Sequence, residues 1–153
     1  MLPRTYDSQN CSIARSLEIV GDRWTMLVIR TALEGVRRFD DFQETLGIAR
    51  NVLTDRLIRL CDEGILRKVR YQERPDRYEY RLTRKGVELW PAMMSLLLWG
   101  DRHYADDGPP LIIAHRGCGG RLTTELKCDS CGASIGPADV EPIPGPGARP
   151  LLP

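Results

Sequence analysis

The stretch RNVLTDRLIRLCDEG, residues Arg50 to Gly64, decides how this chain is read. As a helix it aligns Leu53, Leu57, Leu60 and Cys61 at spacings of four, three and one, a single apolar stripe that seats on a core. The other side carries Asn51, Asp55, Arg59 and Asp62, flanked by Arg50, Thr54 and Arg56. A merely solvated face would be served as well by lysine and glutamate. Arginines and an amide near the helix start supply the forked hydrogen-bonding groups that read base edges in a major groove.

Toward the N-terminus, FDDFQETL (residues 39–46) predicts a shorter helix with Asp40 and Gln43 as a capping box and Phe42 and Leu46 turned inward; Gly47 and Ile48 form the turn after it. Before it, Asn10 or Ser12 is expected to cap a helix running to about Val20 and closed by Gly21. Asp22 is expected to cap a second helix, Trp24 to Leu33, closed by Gly35, with Trp24, Leu27, Val28 and Ile29 as core candidates. After Gly64 the period changes from helical to alternating. ILRKVRYQ and YEYRLT read as two antiparallel strands joined by ERPDR, an exposed basic connection. Thr83 is expected to cap one long final helix to about Tyr104, with Pro91 near a bend or in its first turns.

The formal net charge of +1 hides an uneven distribution. Residues 50–85 hold eleven basic against six acidic side chains, so that segment is near +5 and the remainder is net acidic. A local basic strip on a near-neutral chain points to a polyanion met at one place. No apolar run approaches the roughly 20 residues of a membrane span, and MLPRTYDSQN lacks the apolar core of a signal peptide. The expectation is therefore a cytoplasmic, nucleoid-associated protein that meets no membrane. No Ser-His-Asp set is visible, and CDSC lacks the α/β setting of a thiol-redox enzyme, so no enzymatic activity is expected.

Two helices about a short turn, with a basic β-hairpin after the second, describe a winged helix-turn-helix. The expected fold class is mainly α with a small β-hairpin (α+β), residues 11–108, carrying a C-terminal zinc-ribbon-like tail at 111–136 and an unstructured, proline- and glycine-rich end at 137–153. Arg50, Asn51, Thr54, Asp55 and Arg59 are the candidate groove contacts. Arg74 and Arg77 are the candidate phosphate or minor-groove contacts of the hairpin. The final helix has more apolar surface than one small core can hide, and a single winged helix makes few contacts. Both facts predict a homodimer.

At these residues the chain resembles the HxlR-type winged-helix transcription regulators. The resemblance rests on Cys11, Ile13 and Leu17, then GDRWT (21–25), RFDDFQ (38–43), GIARNVLTDRLIRL (47–60), EGIL (63–66) and PDRYEYRLTRKG (75–86). It covers about residues 11–108 and implies a homodimeric repressor or activator on a palindromic double-stranded DNA site. Ala49 departs from the pattern, which commonly has a capping serine there. The resemblance also implies an oxidant or electrophile as effector in those members whose reactive thiol matches Cys11, and Cys11 stands where helix amides lower a thiol pKa. A small-molecule effector and an inert, buried Cys11 stay open. Cys61, on the inward stripe, is expected to be an inert core residue.

Five cysteines is an odd number, and three fall between 118 and 131. His115 and Cys118 are two residues apart, as are Cys128 and Cys131, with RLTTEL as a short strand candidate between the pairs. Two such pairs suit a structural, four-ligand Zn2+ site; the alternatives are a loose tail or a disulfide at CDSC. No internal repeat is visible. Beside the regulator, the other function open to the sequence is a winged-helix protein-interaction module that docks through the ribbon.

Overall fold

The computed structural model describes residues 5–149, and the chain divides into two compact units with the boundary between Met93 and Met94. In the first unit α1 (Ser12–Val20), α2 (Thr25–Leu33), α3 (Phe39–Leu46) and α4 (Arg50–Asp62) lead into an antiparallel hairpin, β1 (Leu66–Glu73) and β2 (Asp76–Leu82), and a single turn of helix, α5 (Arg84–Val87). Its core is Val28 and Ile29 of α2, Phe42 of α3, Leu53, Leu57 and Leu60 of α4, and Leu66 of β1, all essentially inaccessible. Each such side chain contributes about 1.5–3 kcal/mol by leaving water, so the leucine edge of α4 is held firmly. Trp24, Leu27, Leu46 and Cys61 are half-buried at the margin of this core.

The turn between α3 and α4 needs a left-handed residue, and Gly47 supplies it at φ 59°. Asp22 organises the start of α2: its carboxylate accepts from the Trp24 amide at 2.9 Å, the Thr25 amide at 3.0 Å and the Thr25 hydroxyl. The hairpin is tied to the helices by the Tyr80 amide, which donates to the Arg37 carbonyl at 2.7 Å, and by the Thr83 amide, which donates to Ile65 at 3.0 Å. Gly86 packs against this corner so closely that a Cβ there would run into the Ile65 carbonyl oxygen.

Four local expectations are corrected. Residue Cys11, rather than Asn10 or Ser12, takes the N-cap position of α1. Helix α3 already starts at Phe39, with Arg38 as N-cap, so Asp40 lies inside the first turn and the capping box with Gln43 does not form. Thr83 caps only α5, accepting from the Gly86 amide at 3.2 Å; α6 (Trp90–Tyr104) is a separate helix. Pro91 is the reason: it has no amide to give to Val87, four residues back, and it fits the first turn of a new helix instead. Finally, backbone pairing extends to Glu73 opposite Asp76, so only Arg74 and Pro75, joined by a cis peptide bond, connect the strands, and Arg77 lies in β2 opposite Gln72.

In the second unit, α6 runs on from Met94 to Tyr104, and the tail forms β3 (Leu126–Lys127) paired with β4 (Ser134–Ile135) and an isolated bridge from Ala114 to Arg121. RLTTEL is thus no single strand, because its first residue is drawn into one small hairpin and its last into another. Residues 137–149 carry no helix or strand, and the remainder of the expected unstructured end, 150–153, lies outside the described residues.

Candidate nucleic-acid interface

Seating Leu53, Leu57 and Leu60 in the core leaves Arg50, Asn51, Thr54, Asp55 and Ile58 of α4 exposed. These form one face over the first two turns. The Thr54 hydroxyl donates to the Arg50 carbonyl at 2.9 Å, which fixes its rotamer without hiding it. Arg50 lies 4.6 Å over the ring of Phe39 and 3.6 Å from the Asp40 carboxylate, so α3 steadies it at the helix mouth. Ile58, 55% exposed, is a member of this face that the sequence reading leaves out. Its signal is present all the same, because it falls off the Leu53–Leu57–Leu60 stripe and one turn beyond Thr54.

The other two arginines of α4 turn away from this face. Arg56 Nε donates to Asp22 Oδ1 at 2.9 Å, with both side chains only about a quarter exposed, at 26% and 25%. Arg59 donates to the Glu18 carbonyl of α1. Both therefore clamp α4 to the first two helices: Arg59 is not brought together with Arg50, Asn51, Thr54 and Asp55. Partial burial works against the charged form of Asp22, but the Thr25 hydroxyl, the Trp24 and Thr25 amides and the Arg56 guanidinium outweigh it and hold its carboxyl below the usual value.

Beside α4 the hairpin presents Arg67, Lys68, Arg70, Arg74 and Arg77 to solvent. Arg70 is tied to Glu73 and Asp76 at 3.4 and 3.3 Å. Neither Arg74 nor Arg77 has an ion-pair partner among the described residues. Strand β1 bulges at Tyr71, and that ring lies 4.8 Å beneath the Arg38 guanidinium, while Lys68 lies 4.3 Å over Tyr78. Between hairpin and helices opens a polar hollow of about 530 Å³, with Arg38, Arg50, Lys68, Tyr71 and Arg77 on its walls. The result is an exposed helix face and a wing whose Arg74 and Arg77 have no ion-pair partner among the described residues, both in the first unit.

The cysteines fall elsewhere. Cys11 is exposed at the start of α1, where the Ala14 and Ile13 amides draw its thiol below the ordinary pKa. Cys61 is half-buried, at the margin of the core and not within it as expected, and burial, with the Asp62 charge, pushes its thiol up. In the tail, His115 Nδ1 is 3.2 Å from Cys118 Sγ, and the nearby Cys131 and Ser130 amides draw the Cys128 thiol below its ordinary pKa. Among the described residues no three metal-ligating side chains converge.

A core-seated helix with an exposed polar face, entered by a tight turn and flanked by a basic hairpin, defines a winged helix-turn-helix DNA-binding protein. The HxlR-like helix-turn-helix family profile matches residues 19–107. The chain is 42% identical over 142 residues to the HTH-type transcriptional regulator Rv3095 of Mycobacterium tuberculosis, covering 92% of this chain and 90% of that protein. Among solved structures it resembles PA1607, with a TM-score of 0.81 and 32% identity over 90% of this chain and 97% of that one. It also resembles the redox regulator HypR in its reduced form, with a TM-score of 0.58 and 26% identity over 63% of this chain and 99% of that one. The chain belongs to the HxlR family of helix-turn-helix transcriptional regulators; it is a DNA-binding regulator of transcription and not an enzyme. No helix among its described residues is long and apolar enough to cross a membrane.

Proposed function

We propose that the protein acts as a homodimer on a pseudo-palindromic operator, placing the first two turns of α4 in the major groove and the Arg74–Arg77 wing on the flanking backbone. The observation that carries this reading is the exposed, polar α4 mouth beside two guanidinium groups, Arg74 and Arg77, that have no ion-pair partner among the described residues. Arg50 and Asn51 offer paired hydrogen bonds to guanine and adenine edges, Asp55 can accept from cytosine, and Ile58 can meet a thymine methyl. Binding of this kind places the protein at the nucleoid, in the cytoplasm.

Dimerisation is supported by apolar surface that the described chain leaves open. Ile13 and Leu17 on α1 are 70% and 47% exposed, and Leu96 and Trp99 on α6 are 55% and 47% exposed. A second copy covering apolar surface of this kind is expected to bring two α4 helices to the half-sites of a palindrome, about one helical turn of DNA apart. Footprinting on the intergenic DNA next to the gene tests the whole reading: a protected inverted repeat supports it, and salt-sensitive binding without sequence preference overturns it in favour of the protein-interaction module.

A second reading is favoured by Cys11, exposed and with its thiol pKa lowered at the start of α1, in a chain similar to the redox regulator HypR. In it, the Cys11 thiolate attacks a hydroperoxide, giving the sulfenic acid and the corresponding alcohol. Mass spectrometry after peroxide treatment, with Cys11→Ser as control, decides it: oxidation confined to other cysteines, or operator binding indifferent to Cys11 oxidation, removes this reading.

A further inference from the structure

The tail contains a repeat that residue identity conceals. The His115 amide donates to the Gly120 carbonyl at 2.8 Å, and the Gly119 amide donates back to His115 at 2.9 Å. The Cys128 amide donates to Ala133 at 2.9 Å, and the Gly132 amide donates back to Cys128 at 3.0 Å. In both segments the first and fourth positions are potential ligands, the fifth is a glycine in the left-handed region (Gly119 at φ 71°, Gly132 at φ 72°), and the flanking residues pair, Ala114 with Arg121 and Lys127 with Ser134. AHRGCGGR and KCDSCGAS are thus two copies of one knuckle whose matching positions share little beyond ligand type and glycine.

We infer that His115, Cys118, Cys128 and Cys131 together bind one thiophilic divalent cation of the zinc class, which holds the two knuckles against each other as a structural staple. Turns of this shape aim two donors, from positions one and four, at the same point outside the turn. The His115–Cys118 approach of 3.2 Å brings one pair to a common point, and the Gly120 amide, 3.4 Å from Cys118 Sγ, is the kind of donor that stabilises a thiolate.

A second observation is independent of the ligands. From residue 94 to 149 no described residue is buried, so the tail's hairpins have no apolar core to hold them. A segment with this many defined turns and so little hydrophobic area needs a cross-link, and metal binding supplies folding free energy directly. Three thiolates and one imidazole suit Zn2+, which is indifferent to ligand-field geometry and closes at four ligands. The donor set leaves one excess negative charge on the site, in a segment that also holds Arg116, Arg121 and Lys127. The His115 and Cys118 side chains meet, and no three ligating side chains converge among the described residues. Drawing the knuckles together is therefore the step the ion performs.

The test uses the full chain, expressed with zinc and purified without chelator. Elemental analysis is expected to find about one zinc ion per chain. Replacing zinc by Co2+ should give the visible absorption of a tetrahedral site with thiolate ligands, lost in Cys118→Ser and in Cys131→Ser alike but kept in Ser130→Ala. Because a variant tail can misfold for other reasons, the unmutated chain is also stripped with chelator. Trypsin should then cut at Arg116, Arg121 or Lys127 at least tenfold faster, and added Zn2+ should restore protection. A metal-free chain with reduced thiols, a cobalt spectrum that survives both serine variants, a Cys128–Cys131 disulfide in the purified protein, or trypsin cleavage insensitive to chelator would each overturn the inference. None of these outcomes touches DNA binding by the winged-helix unit.

Discussion

Arg56 of α4 bonds, at 2.9 Å, the same Asp22 carboxylate that accepts the Trp24 and Thr25 amides just ahead of α2, whose N-cap position is Trp24 and not Asp22, so one side chain fixes both the start of a core helix and the seating of the helix that faces DNA. Asp22→Ala is expected to cost about 1–3 kcal/mol, combining the lost amide bonds with the lost ion pair. Arg56→Ala should cost less, about 0.5–1.5 kcal/mol. In a double-mutant cycle by chemical denaturation the two costs should not add, since each change removes the shared bond. Additive costs would mean that the pair does not link the helices in solution.

The same carboxylate sets an acid limit. Its pKa in the folded chain is depressed, so its contribution is fully present above the unfolded-state value and is lost as pH falls through the lower folded value. The stability gap between the natural protein and Asp22→Asn should therefore be widest near neutrality and begin to close below about pH 4, as ordinary carboxylates titrate. Denaturation midpoints measured from pH 7 down to pH 3 check the sign; a gap that widens in acid contradicts it.

Helix α4 begins at Ala49, which has the extended backbone of an N-cap but no side chain that can accept from the first amides. Ala49→Ser is expected to stabilise the fold by about 0.5–2 kcal/mol, with a higher melting temperature. A fall in melting temperature would show that the site has no room for the hydroxyl to bond inward.

Arg59 and Asn51 should part company. Arg59 is spent on the Glu18 carbonyl, so Arg59→Ala should lower stability by about 1–2 kcal/mol while leaving the order of preferred DNA sequences unchanged. Asn51→Ala should leave the folding stability within about 0.5 kcal/mol of its starting point and flatten preference at one base pair in each half-site. Binding-site selection on both variants checks this, and a changed preference with Arg59→Ala would contradict it.

The pattern of legible and illegible features has a physical basis. Leu53, Leu57 and Leu60 declare their side of α4 because burial is periodic, and the switch to alternation after Gly64 declares the hairpin for the same reason. Those signals place the winged helix. The fate of Arg56 and Arg59 is not periodic: whether a long guanidinium side chain reaches into a groove or back to a carbonyl depends on where α1 and α2 happen to stand, which tertiary packing decides. Asp40 has the look of a cap because it precedes Gln43 by three residues, yet the helix starts two residues after Arg37, whose carbonyl is held by Tyr80 of β2. In the tail the equal spacing of His115–Cys118 and Cys128–Cys131 is legible, but that both pairs sit in the same turn is not, because that likeness is carried by main-chain hydrogen bonds.

The central claim is that the α4 mouth reads sequence while the wing supplies charge, and equilibrium binding to the footprinted operator across a range of salt concentrations tests it most directly. Arg77→Ala should weaken operator and unrelated DNA together and reduce the slope of log K against log salt by about 1, the loss of one phosphate contact. Arg50→Ala with Asn51→Ala should instead abolish the difference between operator and unrelated DNA. If the paired α4 change left that difference intact, or Arg77→Ala left the slope unchanged, α4 and the wing would not be the surface that meets DNA.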